Sequence, residues 1–253
     1  MPKNLSLFLN IGNGASYFLS QAFHHIDLAI EDDIRDHLFH EKLESLDVET
    51  EHISAVFKDG EVKNAVDLLQ SDILKLIEDP EDPVVKAQGE AKEEAAQMRN
   101  VYSKNHKITS KEILGHLNNF AFFVEAMINR HLLFLSVSNE IHSCYYNKLK
   151  DAAVVGKLLF VTKNAFQEQT DTIEAVSRLF RLRNRTAHYT PENAESLKVT
   201  INELFTMWGH TGKLLAYFHS LEQFTNDDFE GMLRKHIKSF EEKWVKTSKR
   251  LSE

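Results

Sequence analysis

Nine glycines and four prolines in 253 residues leave few places where the chain can turn tightly, and this scarcity constrains the fold more than any other feature. Strands joined by hairpins need such punctuation at short intervals, so long helices are favoured and an all-β fold is excluded. Apolar spacing agrees. Phe18, Phe23, Ile26, Ile30, Ile34 and Leu38 keep helical steps and predict a helix over about 16–40, starting after an Asn13-Gly14 turn. Val62, Ala65, Leu69, Ile73 and Ile77 predict a second over about 61–78, ended by Asp79-Pro80, because the residue before a proline is pushed out of the helical region. A third, over about 84–102, is rich in Ala, Glu and Lys and has only a thin apolar stripe.

A more apolar unit opens at Thr109, where Thr109 and Glu112 have capping-box spacing. The helix expected behind it, about 110–136, places Ile113, Leu117, Phe120, Val124, Met127, Ile128, His131 and Leu135 on one face and reads as the centre of a bundle. Another is expected over about 141–163. Asp171 and Glu174 repeat the capping-box spacing and open a short helix. Thr190-Pro191 marks a further start, with proline in the first turn, for a helix reaching about 220; a last one covers about 227–248. The expected architecture is all-α: a multi-helix bundle with an N-terminal helical region over 1–105, a second bundle over 106–222, and a C-terminal helix over 223–253 packing on it.

Composition narrows the function classes. Cys144 is the sole cysteine, which excludes an intramolecular disulfide and a cysteine zinc site and points to a reducing, cytoplasmic setting. No run of about eighteen apolar residues is uninterrupted by charge or amide, so no membrane span is expected. The net charge of −8 rules out the broad positive field of non-specific nucleic-acid binders. Any contact with nucleic acid has to be local.

One segment supplies a local positive site. Residues 178–188, RLFRLRNRTAH, hold four arginines and one histidine in an otherwise acidic chain. Ile173, Val176, Phe180 and Arg183 fall at three- and four-residue steps, so Arg183 is expected to continue an apolar stripe and to need a carboxylate, carbonyl or phosphate partner. His188 lies just before the Thr190 cap and is expected to fold back toward Arg183 and Asn184. Arg178, Arg181 and Arg185 share another face.

Arg183, Asn184 and, four residues further on, His188 resemble the signature of the HEPN family, an Arg followed by a polar residue and then a His. The resemblance covers about 110–220, including a long apolar helix that bears a glutamate, here Glu125. It implies an up-and-down helical bundle that pairs with a second copy, so that two signatures form one composite active site, and it implies a metal-independent endoribonuclease needing no cofactor. Arg183, Asn184 and His188 would be catalytic. Arg178, Arg181, Arg185 and Tyr189 would hold the RNA backbone, with Glu125 as a supporting acid. A toxin or antiviral effector, restrained by an antitoxin or another regulatory protein, is the cellular role that follows; a non-catalytic HEPN-like interaction module is the alternative. In one toxin subgroup a tyrosine two places after the His is modified by the antitoxin, whereas position 190 here is Thr.

Other constellations compete. Arg35 with His40, and Arg99-Asn100 with His106, present related spacings, but only Arg183 combines an approach helix, an arginine cluster and a Thr-Pro restart. His24, His25, His37, His40, Glu41 and His52 match no zinc spacing and are expected to be scattered surface groups. Phe120, Phe122, Phe123 and Phe134 are expected in the core rather than against bases, and Cys144 lacks an activating neighbour in sequence.

Overall fold

Helix periodicity without punctuation produces an all-α chain. The computed structural model describes residues 3–45, 83–162, 169–186, 198–222 and 227–246. Among them lie eight helices: α1 (Lys3–Ser45), α2 (Pro83–Gln97), α3 (Ile113–Val137), α4 (Ser143–Leu149), α5 (Val154–Thr162), α6 (Gln169–Thr186), α7 (Ile201–Leu221) and α8 (Phe229–Trp244). A two-residue antiparallel pair, β1 (Lys107–Ile108) and β2 (Val199–Thr200), joins Lys107 to Thr200 and Ile108 to Val199. The helix expected over 61–78 lies outside the described residues.

Contacts group the chain into two units, residues 1–29 with 99–253 and residues 30–98. In the smaller unit, α1 from Ile30 onward buries Ile34, Leu38 and Leu43, and α2 buries Ala87, Ala91 and Ala95, one alanine per turn. Lys42 pairs with Glu94 at 3.2 Å and Glu90 at 3.5 Å, and the Glu94 hydrogen bond is the main cause of its raised pKa.

The larger unit is built around α3, whose expected stripe is buried from Ile113 to Leu135. By length and hydropathy α3 could cross a membrane, yet 67% of that window is buried against neighbouring helices, which is where its apolar surface goes. It packs against α5 and α6, while α6 packs on α7 and α7 on α8. Trp208 of α7 meets Phe23 of α1, Phe205, and Phe240 of α8 at ring separations of 5.0–5.2 Å. A tryptophan in that position brings the largest apolar surface of any side chain to the junction of three helices. His116 ties the same helices by polar contacts: Nδ1 is 2.8 Å from Ala22 O and Nε2 accepts from Trp208 Nε1 at 3.3 Å.

Several expected boundaries move. No turn forms at Asn13-Gly14, and α1 runs from Lys3 straight through it: among the described residues no glycine takes a positive φ, and a Cβ at Gly12 would already stand 3.4 Å from Phe229 Cζ. α2 stops at Gln97 rather than 102, since Asn100 takes φ 57°, a left-handed conformation that asparagine tolerates, and the chain then runs along the ends of α7 and α8. Glu112 does not reach back to cap with Thr109; its carboxylate crosses to His25 Nδ1 at 2.9 Å, and Ser110 Oγ accepts from its N–H. The helix expected over 141–163 is two helices broken at 150–153, and its first half, α4, buries nothing. α6 begins at Gln169, two residues before Asp171. The helix expected to run from Thr190 to about 220 cannot be continuous, because Val199 and Thr200 are extended in β2. The capping box operates instead at Thr200 and Glu203, where Glu203 N–H donates to Thr200 Oγ1 at 3.1 Å and Thr200 N–H to Glu203 Oε2 at 2.9 Å.

Candidate functional site

α6 enters the site as an amphipathic helix whose buried stripe is Thr172, Ala175, Val176, Leu179 and Leu182. Arg183 therefore stands at the margin of that stripe, one position past its last buried residue, and does not continue it as the spacing of Ile173, Val176 and Phe180 suggests. A guanidinium at a margin keeps part of its hydration, which removes the need for a buried carboxylate. Its carbon lies 5.2 Å from the centroid of the Phe122 ring on α3, and Nη1 donates to Asn184 Oδ1 at 3.2 Å. Among the described residues Arg183 has no carboxylate partner. The last turn of α6 is tied to α3 by the Thr186 hydroxyl, 2.9 Å from Asn118 Oδ1 and 2.7 Å from Arg183 O. That anchor holds the last turn of α6, which carries Arg183 and Asn184, against α3.

Between α3, α6 and the start of α5 lies a cleft of about 390 Å³. Glu125 contributes one wall; Ser177, Phe180, Arg181, Arg183 and Asn184 form another; Ala152 to Val155 supply a small apolar third. The sequence-derived residues Glu125, Arg181, Arg183 and Asn184 thus share one space. Arg185 is exposed. Arg178 is committed elsewhere: it pairs at 3.3 Å with Glu203, the acid of the capping box that opens α7. His188 and Tyr189 lie outside the described residues.

Polar groups that sequence reasoning did not single out support this cleft. Lys157 of α5 is almost wholly buried and donates to Asn129 Oδ1 at 2.9 Å, with Glu125 Oε1 at 3.5 Å. Glu125 is consequently paired with a buried cation of α5 on the α3 wall of the cleft that the arginines also line. A lysine inside the apolar run VVGKLLFV is a readable signal, because a buried ammonium requires a partner on a facing helix.

A second polar cluster lies in the same unit. Glu222 accepts from Arg130 at 2.5 Å and sits 2.9 Å from His131 Nδ1, and Arg130 also reaches Asp227 at 2.9 Å. His131 stacks on Phe218, 4.1 Å between centroids. This arrangement balances the charge of a buried arginine with two carboxylates and reads as a structural clasp between α3 and the ends of α7 and α8.

Of the competing constellations, Arg35 pairs with Asp32 at 3.0 Å on the α1 surface, and His25 pairs with Glu112. Among the described residues no three His, Cys, Asp or Glu side chains gather as a metal site would require. Phe120, Phe123 and Phe134 are buried, but Phe122 is turned outward. Cys144 is exposed, and His142 Nδ1 lies 3.1 Å from its sulfur, a neighbour that the sequence reading did not credit.

No protein-family model, curated protein or solved structure matches the chain.

Proposed function

We propose that this chain is a metal-independent endoribonuclease of the HEPN type, in which Arg183, Asn184 and His188 act on a phosphodiester. The observation that supports the reading is the convergence of Arg181, Arg183, Asn184 and Glu125 on one cleft, at the end of the helix that leads toward His188. RNA carries its own nucleophile. The 2′-oxygen attacks phosphorus, the bond from phosphorus to the 5′-oxygen breaks, and the attacking hydroxyl's proton is removed while the departing oxygen gains one. A histidine titrating near neutrality suits both transfers. Arg183 offers planar, paired donors to the phosphoryl oxygens as negative charge builds at the transition state, and Asn184 holds that guanidinium in place. Products are a 2′,3′-cyclic phosphate and a 5′-hydroxyl.

In this reading the active form is a homodimer with a composite site, and the cell uses it as a toxin or antiviral effector under the control of a regulatory protein. Arg181 and Arg185 hold the backbone near the reacting phosphate, whereas Arg178 braces α7. Purified wild type, Arg183→Ala and His188→Ala incubated with total RNA test the proposal. Wild type should cut in excess EDTA and both variants should not. Equally intact RNA in all three assigns the cleft to a non-catalytic interaction module instead.

A further inference from the structure

Three aromatic rings and one guanidinium form a continuous row across α1, α3 and α6. Tyr17 lies 5.7 Å from Phe18, Phe18 lies 5.3 Å from Phe122, and Phe122 lies 5.2 Å from the Arg183 guanidinium. Tyr17 is 60% exposed and Phe122 38%, although their neighbours Ala15, Leu19, Phe120 and Phe123 are fully buried. A single exposed aromatic is ordinary on a protein surface. Here the two exposed rings are joined through the half-buried Phe18, they come from two helices, and the row ends on a cation at the wall of the polar cleft.

That combination fits a strand of bases. Each nucleobase has two π-faces that stack on aromatic rings or on an arginine plane, and each base is followed by a phosphate that the arginines beyond the row can meet. An apolar protein partner would gain nothing from Arg181 and Arg183 at its edge. For a chain of net charge −8, stacking also supplies affinity that long-range attraction does not.

We propose that Tyr17, Phe18 and Phe122 are a stacking platform for single-stranded RNA, delivering the strand to Arg183. The inference rests on the ribonuclease reading and adds a substrate class to it: unpaired RNA, bound with little sequence preference. Duplex is disfavoured because paired bases present no free face.

A fluorescein-labelled twelve-nucleotide 2′-O-methyl RNA, which lacks the nucleophilic hydroxyl, serves as the anisotropy probe for the full chain. Tyr17→Ala and Phe122→Ala should each weaken binding roughly 5- to 100-fold, and Tyr17→Phe should keep wild-type affinity. Tyr17→Ala is the decisive variant, since it is two rings removed from Arg183 and mostly exposed; its salt dependence should match wild type because no phosphate contact is lost. Wild type that binds or cuts RNA while both alanine variants bind the probe equally well overturns the platform and leaves the nuclease standing. So does equal affinity for a duplex probe. Variants that dissociate a dimer in sedimentation yet bind the probe normally reassign the row to a contact between copies, which also overturns it. Wild type that neither binds the probe nor cuts RNA overturns both readings.

Discussion

The Arg183 guanidinium rests against Phe122, with its carbon 5.2 Å from the ring centroid. Contact with an aromatic face restrains a flexible side chain without neutralising its charge, and the hydrogen bond from Nη1 to Asn184 uses only one of its donors. A lysine cannot reproduce the plane or the fork. Under the proposed ribonuclease function, Arg183→Lys should therefore lower RNA cleavage at saturating substrate about 10²- to 10³-fold, with an unchanged melting temperature. A lysine variant within about threefold of wild type would remove Arg183 from the reacting centre.

His116 gives the fold a defined acid sensitivity. Burial, with Ala22 opposing and His25 assisting, lowers its pKa from 6.5 to about 4. Between those values the unfolded chain binds a proton that the folded chain refuses, so stability falls as pH drops from 6.5 toward 4. The loss should reach roughly 2–3 kcal/mol at the acid end. Chemical denaturation of wild type and His116→Gln at pH 7 and pH 4.5 isolates it, with the variant losing less between the two conditions. Parallel losses would show that other groups carry the acid response.

Gly115 of α3 lies directly against the His25 ring of α1. A Cβ there would stand 2.5 Å from His25 Nδ1, so Gly115→Ala has to displace the ring and break its contact with Glu112. About 1–3 kcal/mol of destabilisation is expected despite alanine's better helix propensity. A variant as stable as wild type or more so would mean that His25 swings away freely.

Glu222 satisfies two buried groups at once, accepting from Arg130 and from His131 Nδ1. Glu222→Gln replaces one carboxylate oxygen by an amide that can only donate, toward a site where a donor already points. Removing that charge should cost about 3–5 kcal/mol, read as a shift in the urea midpoint. A shift below about 1 kcal/mol would assign the neutralisation of Arg130 to Asp227.

The alternation of apolar and polar residues along α3 was enough to place Ile113, Leu117, Phe120, Val124, Met127, Ile128, His131 and Leu135 inside, because a helix's own period decides which residues share a face. The same local logic put Arg181, Arg183 and Asn184 on the last turns of one helix. It could not choose among the helix starts. Thr109 with Glu112 and Thr200 with Glu203 have the same spacing, yet Glu112 turns to His25 on α1 while Glu203 caps its own helix and holds Arg178.

Sequence by itself therefore determined the all-α class, the central helix and the charged segment, all properties of residues a few positions apart. Tertiary structure alone decided that Glu125 lines the arginines' cleft and pairs with Lys157, that Arg183 lies against Phe122, and that Tyr17 joins the row. Glu125 and Lys157 are 32 positions apart, Phe122 and Arg183 61, and Tyr17 and Phe122 105, and only the packing of one helix on another sets their distances.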